Sequence, residues 1–254
     1  MPSAASITMG ARPHVVLLHG WGATGAIWDE LATLLEAHYC VHAPDLPVGS
    51  GTTGGEAALD HVAGAIAARA PESCSVIGWS LGGQVALSWA HAAPRQVRRL
   101  VLIAATPRFT SSATWPHAME RQTLADFRAA LRADPGGAIT RFMTLQSLGD
   151  ERPTHVTRRL RACRRAAAAV GARSLDQGLD ILMHADLRDR LGKISQPTLI
   201  IHGERDSLVP LAAAEYLQAQ LPRGRLTVIE GAAHAPFVSD ARAVFRHLEG
   251  FLHE

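Results

Sequence analysis

Residues 74–90 read CSVIGWSLGGQVALSWA, and the way the chain turns between Ile77 and Gln84 decides the fold. Ser75-Val76-Ile77 has the continuous apolar character of a short buried strand. From Gln84 onward the pattern is that of a helix with small and apolar residues on one side. Between them, Gly78-Trp79-Ser80-Leu81-Gly82-Gly83 leaves almost no room to turn. Glycines two residues either side of Ser80 suit a corner where strand and helix approach without Cβ clashes, and the strained turn lifts the serine hydroxyl above the sheet. Leu81 then opens the helix with a free backbone N–H that could face an oxyanion. A tight strand-to-helix turn carrying an incidental serine has the same local pattern, so residues elsewhere must decide.

Outward from this corner, short apolar runs alternate with helical patterns. His14–His19, Tyr39–Ala43, Ser75–Gly78, Arg99–Ala104, Thr198–His202 and Leu226–Glu230 read as strands covered on both faces, and helical patterns lie near 26–37, 56–70, 81–92, 211–221 and 240–252. This is the grammar of an α/β fold with a mostly parallel, doubly wound sheet. The rhythm breaks between about 107 and 190, an Arg- and Ala-rich stretch without a convincing strand. A structureless loop of that length is improbable in a compact domain, so the stretch is expected to be an inserted helical lid. The expected division is residues 1–106 and 191–254 for the two parts of the core, with 107–190 as the lid.

A serine hydroxyl needs a base, and the base an orienting carboxylate, in the chain order Ser, Asp/Glu, His. His234, in EGAAHAP, follows the strand LTVIE; Asp206, in HGERDSLVP, follows TLIIH. Both therefore emerge at the carboxyl edge of a parallel sheet, together with Ser80. Glu204 is the rival acid. In VVLLHGWG the backbone N–H of Trp21 stands at the end of the first strong strand, where it could complete an oxyanion hole with Leu81, although a plain glycine-rich turn would look the same.

The remaining composition narrows the class. The chain has 254 residues, 47% of them apolar, and a net charge of +2, which points neither to nucleic acid nor away from it. The amino terminus lacks a basic start followed by an apolar signal core, and no apolar run approaches the roughly 18 residues of a membrane span. Cys40, Cys74 and Cys163 are scattered and odd in number, so neither a disulfide framework nor a zinc site is indicated. A cytoplasmic setting is expected, with no membrane or nucleic-acid partner, no metal and no organic cofactor.

With these residues in view, the sequence resembles the α/β-hydrolase superfamily over nearly its full length. More narrowly, it is similar to the pimeloyl-[acyl-carrier protein] methyl ester carboxylesterases of biotin synthesis. The segments behind this are LLHGWG (17–22), GWSLGG (78–83), RFMTLQSLG (141–149), GLDILMHADLRDRL (178–191) and AAHAPF (232–237); the lid segments RFMTLQ and GLDIL…DLR are the specific ones. The resemblance implies Ser80 as nucleophile, His234 as base and Asp206 as orienting acid. It also implies Trp21 and Leu81 beside the ester, and an acyl channel lined by Phe142, Met143, Thr144, Leu145 and Gln146. Phe142 and Gln146, four apart, can share a helix face; simple packing of lid on body is the alternative for Phe142 and Leu145. Two features depart from the family pattern: the loop Asp45-Leu46-Pro47-Val48-Gly49-Ser50-Gly51, and a short segment ahead of His14 that could truncate the usual antiparallel strands.

Seven arginines and no acidic residue lie between Arg152 and Leu175. At helical spacing Arg158, Arg161 and Arg165 form one stripe, with Val156, Leu160, Cys163, Ala167 and Val170 opposite. Such a stripe is often only a solvated face. Given the resemblance, it suits the acidic acyl-carrier protein that would bring the substrate, with Arg141 and Arg158 at matching lid positions and Arg161 beside them. The expected activity is hydrolysis of a pimeloyl methyl ester on that carrier by a monomeric serine esterase. A broad short-chain esterase, a lactonase or a carbon–carbon hydrolase of the same fold stays open, as does a binding protein that kept the fold without the chemistry.

Overall fold

A computed structural model of the protein describes residues 12–50, 54–166 and 171–254. The segment ahead of residue 12, Gly51, the side chain of Arg165, and Ala167 and Val170 lie outside the described residues. Six parallel strands form one sheet: β1 (His14–Leu18), β2 (Cys40–His42), β3 (Cys74–Trp79), β4 (Val97–Ile103), β5 (Thr198–Gly203) and β6 (Gly224–Ile229), in the spatial order β2-β1-β3-β4-β5-β6. The central strands β1, β3, β4 and β5 have the burial expected of covered parallel strands, whereas the edge strands β2 and β6 are only partly covered, because each has a sheet neighbour on one side alone among the described residues. Val15–Leu18 and Leu100–Ile103 are no more than 1% exposed.

The connections set the layers. From β1 the chain steps outward to β2 through α1 (Asp29–Leu35), then crosses back to β3 through α2 (Gly55–Ala67). From β3 it moves steadily the other way, through α3 (Leu81–Ala92) to β4, and later through α8 (Leu211–Gln220) from β5 to β6. Right-handed crossovers in opposite directions put α1 on one face and α2, α3 and α8 on the other. The final helix, α10 (Ala241–His253), packs with α1. The direction reverses between β1 and β3. At such a switch point the loops leaving neighbouring strands part and open a crevice at the carboxyl edge; here those loops carry Trp21 and Ser80.

Between β4 and β5 the chain builds α4 (Arg121–Ala133), α5 (Pro135–Gln146), α6 (Pro153–Ala166) and α7 (Ala172–His184). Asp134 starts α5 by accepting the Gly137 N–H at 3.0 Å, with Pro135 in the first turn. These helices are tied to one another and to the core by charge-assisted bonds. Arg128 pairs with Asp176 at 2.7 Å and Asp180 at 3.2 Å, while Asp180 also accepts the Gly55 N–H at 2.7 Å. The loop Asp45–Ser50 is held from three sides: Asp45 accepts the Gly25 N–H at 2.8 Å, His19 accepts the Leu46 N–H at 2.9 Å, and Gln177 accepts the Gly49 N–H.

The corner between β3 and α3 is the tightest place in the core. Ser80 sits at φ 55°, ψ −117°, a region that costs a non-glycine residue roughly 1–3 kcal/mol. A Cβ on Gly82 would come within 2.2 Å of the Leu18 carbonyl oxygen, and one on Gly78 within 2.3 Å of the Gly82 carbonyl oxygen. Both obstacles are backbone and cannot rotate away. Gly82→Ala should therefore lower stability by at least about 2–3 kcal/mol, read as a fall in the denaturant midpoint. Gly64→Ala, exposed in α2 with nothing among the described residues within 4 Å of its new methyl group, should raise stability by up to about 1 kcal/mol. Equal effects of the two substitutions would contradict the close approach.

Candidate active site

At the carboxyl edge three residues from separate loops form one hydrogen-bonded relay. Asp206 Oδ2 is 2.8 Å from His234 Nδ1, and His234 Nε2 is 3.0 Å from Ser80 Oγ. The carboxylate fixes the tautomer. Nδ1–H donates to Asp206, so the Nε2 lone pair is left to accept the serine proton. Asp206 is itself fixed, because its Oδ1 accepts the Leu208 N–H at 2.9 Å and the Val209 N–H at 3.0 Å. Burial alone would raise its carboxyl. The attraction and hydrogen bond of His234, the attraction of His202 and the Val209 N–H outweigh burial, holding it below the ordinary carboxylate value. Glu204 lies outside the relay; it accepts the Gly231 N–H at 3.0 Å.

The loop carrying His234 is braced by Gln146 and by residues that sequence reasoning did not single out. Trp79 Nε1 donates to the His234 carbonyl at 2.8 Å, and the His234 N–H donates to the Gln146 carbonyl at 3.2 Å. Buried Asp150, just past α5, accepts the Ala233 N–H at 2.9 Å and the Ser239 hydroxyl at 2.9 Å. Beneath, Phe237 stacks on Trp28 at 4.2 Å and meets Trp79 edge-on at 5.3 Å. His202 is fully buried, with Nε2–H donating to the Val209 carbonyl at 2.8 Å and lying 3.5 Å from Asp206. In the sequence His202 reads only as the end of a strand; its position four residues before Asp206 is the one available signal.

Trp21 and Leu81 are both buried beside the serine loop. The Trp21 indole is pinned by the lid: Nε1 donates to the Leu175 carbonyl at 2.9 Å, and the ring meets Phe142 edge-on at 4.9 Å and Phe127 at 5.5 Å. It stands between two spaces. One is an open cavity of about 530 Å³ bordered by Trp21, Leu81, Leu46, Val48, Leu175 and Gly178. The other is a narrow apolar cleft of about 10 Å³ that includes Trp79, Phe142, Met143 and Gln146. Gln146 is 3% exposed and its Oε1 has no hydrogen-bond partner among the described residues.

The run Phe142–Gln146 therefore does not act as one wall. Phe142, Met143 and Gln146 face inward, whereas Thr144 and Leu145 are exposed, Leu145 by 41%. The reason is the helix itself: at 100° per residue, five consecutive positions cannot share one face. On the outer side, Thr144, Leu148, Arg158 and Arg161 border a surface groove. Val156, Leu160 and Cys163 are buried on the opposite face of α6. Arg141, Arg158 and Arg161 are exposed and, among the described residues, join no ion pair.

Comparison with known proteins agrees with this fold. Residues 13–241 match the family described as alpha/beta hydrolase fold. A protein of Nitrosomonas europaea named pimeloyl-[acyl-carrier protein] methyl ester esterase is 42% identical over 234 residues, covering 91% of this chain and 92% of its own. One of the same name from Xanthomonas campestris pv. campestris strain B100 is 40% identical over 247 residues, covering 96% of each. Among solved structures, an esterase from Exiguobacterium antarcticum superposes with a TM-score of 0.84 at 24% identity, over 97% of this chain and 94% of its own. The enol-lactonase from Burkholderia xenovorans LB400 gives 0.80 at 18% identity over 97% and 94%. These structural likenesses show the fold alone.

Two buried histidines link stability to pH. Burial holds His19 and His202 below the ordinary value of 6.5, against the pull of Asp45 on the first and Asp206 on the second. The unfolded chain therefore takes up protons near 6.5 that the native chain refuses. Their contribution is complete above that pH and is lost as the pH falls below it, with a slope of up to about 1.4 kcal/mol per pH unit for each group. The melting temperature should fall between pH 7 and pH 5, and more shallowly in His202→Gln. An unchanged slope in that variant would mean that His202 does not carry the effect.

Proposed function

This chain belongs to the α/β-hydrolase fold family, and we propose that it is a serine carboxylesterase that cleaves the methyl ester of a pimeloyl chain held on acyl-carrier protein, a step of biotin synthesis. The observation that carries the reading is the relay Asp206–His234–Ser80, with its 2.8 Å and 3.0 Å bonds, beneath an apolar lid. Relatives named for this reaction, alike over more than nine-tenths of the chain, supply the substrate.

In this reading Ser80 Oγ attacks the ester carbonyl as its proton passes to His234 Nε2. Asp206 steadies the imidazolium that forms. The carbonyl oxygen, now anionic, is met by the Leu81 and Trp21 N–H groups. His234 returns its proton to the departing methoxide, and methanol leaves. Water then gives a proton to His234 and attacks the acyl-serine, which frees the carboxylate and restores Ser80. The acyl chain packs against Trp21 and, on the lid side, against Phe142, Met143 and Gln146, whose cleft of about 10 Å³ has to widen to admit it. Thr144 and Leu145 take no part in that channel; they lie on the outer surface.

The carrier protein docks on that outer surface, where the exposed guanidinium groups of Arg141, Arg158 and Arg161 suit an acidic partner. The expected setting is the cytoplasm and the expected state a monomer.

Three measurements test the reading. Ser80→Ala should lower ester turnover by on the order of 10⁴–10⁶ with the fold intact. Asp206→Asn should also be severe and Glu204→Gln mild; the reverse order would remove Asp206 from its role. Complementation of a biotin-requiring strain that lacks its own methyl esterase should succeed with the native gene and fail with Ser80→Ala, whereas failure of both would contradict the assigned substrate.

Docking is tested separately. Exposed ion pairs contribute about 0.2–1 kcal/mol each, so replacing Arg141, Arg158 and Arg161 together with alanine should weaken use of the carrier-bound ester roughly 3- to 100-fold. Turnover of a small neutral ester should change little. Equal losses on both substrates would mean that the arginines support the lid instead.

A further inference from the structure

Far along the chain from the relay residues, the edge of the sheet brings together three side chains that sequence spacing keeps apart. Parallel pairing sets His14 beside Cys40 and Val16 beside His42. Because side chains alternate along a strand, Cys40 and His42 share one face of β2, and the register puts His14 on that same face of β1. The result is a compact trio: His14 Nδ1 lies 3.0 Å from His42 Nε2, Cys40 Sγ lies 3.7 Å from the same nitrogen, and all three atoms fall within 4.8 Å of one another. They occupy the first residue of β1 and both ends of β2, whereas Ser80, Asp206 and His234 follow the carboxyl ends of their strands. No step of ester cleavage uses them.

We propose that His14, Cys40 and His42 form a zinc site. The donor set is two imidazole nitrogens and one sulfur, which suits zinc and is foreign to calcium or magnesium. The spacing fits as well. Zinc at about 2.0–2.1 Å from nitrogen and 2.3 Å from sulfur requires, in a tetrahedron, about 3.3 Å between the nitrogens and about 3.6 Å between nitrogen and sulfur. The observed 3.0 Å and 3.7 Å differ from these by no more than a small side-chain rotation would supply.

The protonation states follow from the geometry. Without metal, one imidazole donates its proton to the other across the 3.0 Å contact. Binding requires His14 to carry its proton on Nε2 and His42 on Nδ1, a change of tautomer with no net release. The Cys40 thiol gives up its proton and binds as thiolate, so one proton leaves for each zinc bound. Three protein ligands leave the fourth tetrahedral position to water. Cys40 is only half-buried, so solvent can reach the site. The site bridges β1 and β2, and β2 is the outermost strand among the described residues. Zinc would thus clamp β2 to β1, its one paired neighbour among the described residues.

The test uses the tag-free full-length protein with zinc or cobalt alone. Titration should show one zinc per chain with a dissociation constant in the micromolar range or tighter, and cobalt should give the charge-transfer absorption of a thiolate ligand. Cys40→Ser is nearly isosteric and should abolish that band while weakening zinc binding at least about 100-fold, beyond the roughly 10- to 100-fold typical of losing an outer-shell partner. His42→Gln and His14→Gln should weaken binding comparably, and zinc should raise the melting temperature of the native protein but not of Cys40→Ser. Ester turnover in these variants reports that they are folded. Absence of stoichiometric binding would overturn the proposal, and so would native-level affinity in all three variants, since other histidines of the chain would then be carrying the metal.

Discussion

At the end of β3 the backbone leaves the sheet at φ 55° and enters α3 within one residue, while Gly82 lies against the Leu18 and His19 carbonyls. This contact between the elbow and β1 fixes the position of everything around it. It aims the Ser80 side chain above the sheet edge and leaves the first N–H of α3 without an intrahelical partner. It also holds the loop after β1, and with it Trp21, beside that N–H. Strain of roughly 1–3 kcal/mol at one residue is small against a core of this size. The surrounding strands supply the resistance: Ser80 N–H donates to the Ile103 carbonyl at 3.0 Å, and Gly83 packs toward Ala105.

The lid does more than cover this corner. The Gln146 carbonyl and the Asp150 carboxylate both hold the loop of His234, and the Leu175 carbonyl holds the Trp21 indole. Lid residues therefore set the position of the base and of the tryptophan beside it, while Trp79 beneath the elbow holds His234 from the other side. An insertion in sequence is in this sense part of the frame of the site. A hydrogen bond to the body, from the Gly55 N–H to the Asp180 carboxylate, lies further along α7.

Much of this was legible in the sequence because the relevant signals are local. Apolar runs such as VVLLH and TLIIH mark covered strands. The glycines at 78 and 82 mark a corner, and the order Ser80, Asp206, His234 needs only the knowledge that each follows a strand. What was not legible depends on contacts between distant segments. The inward turn of Phe142, Met143 and Gln146, and the outward turn of Thr144 and Leu145, follow from how α5 is rotated on the body, which a five-residue motif does not specify. Asp150 and His202 are ordinary residues until the loop at 232–234 folds over them. Cys40 and His42 likewise gain a partner only when strand pairing brings His14 alongside.

The geometry implies a serine that is activated before any substrate arrives: an acceptor nitrogen at 3.0 Å and a tautomer fixed by a buried carboxylate. Such a serine reacts with a fluorophosphonate where ordinary serines do not. Treatment of the native protein, followed by intact-mass measurement and peptide mapping, is therefore the most direct test. We expect a single adduct per chain, located on Ser80 in the peptide spanning 74–90, with none in Ser80→Ala. An adduct on another residue, or continued ester turnover by a protein that takes up no label, would contradict the assignment of Ser80 as the nucleophile.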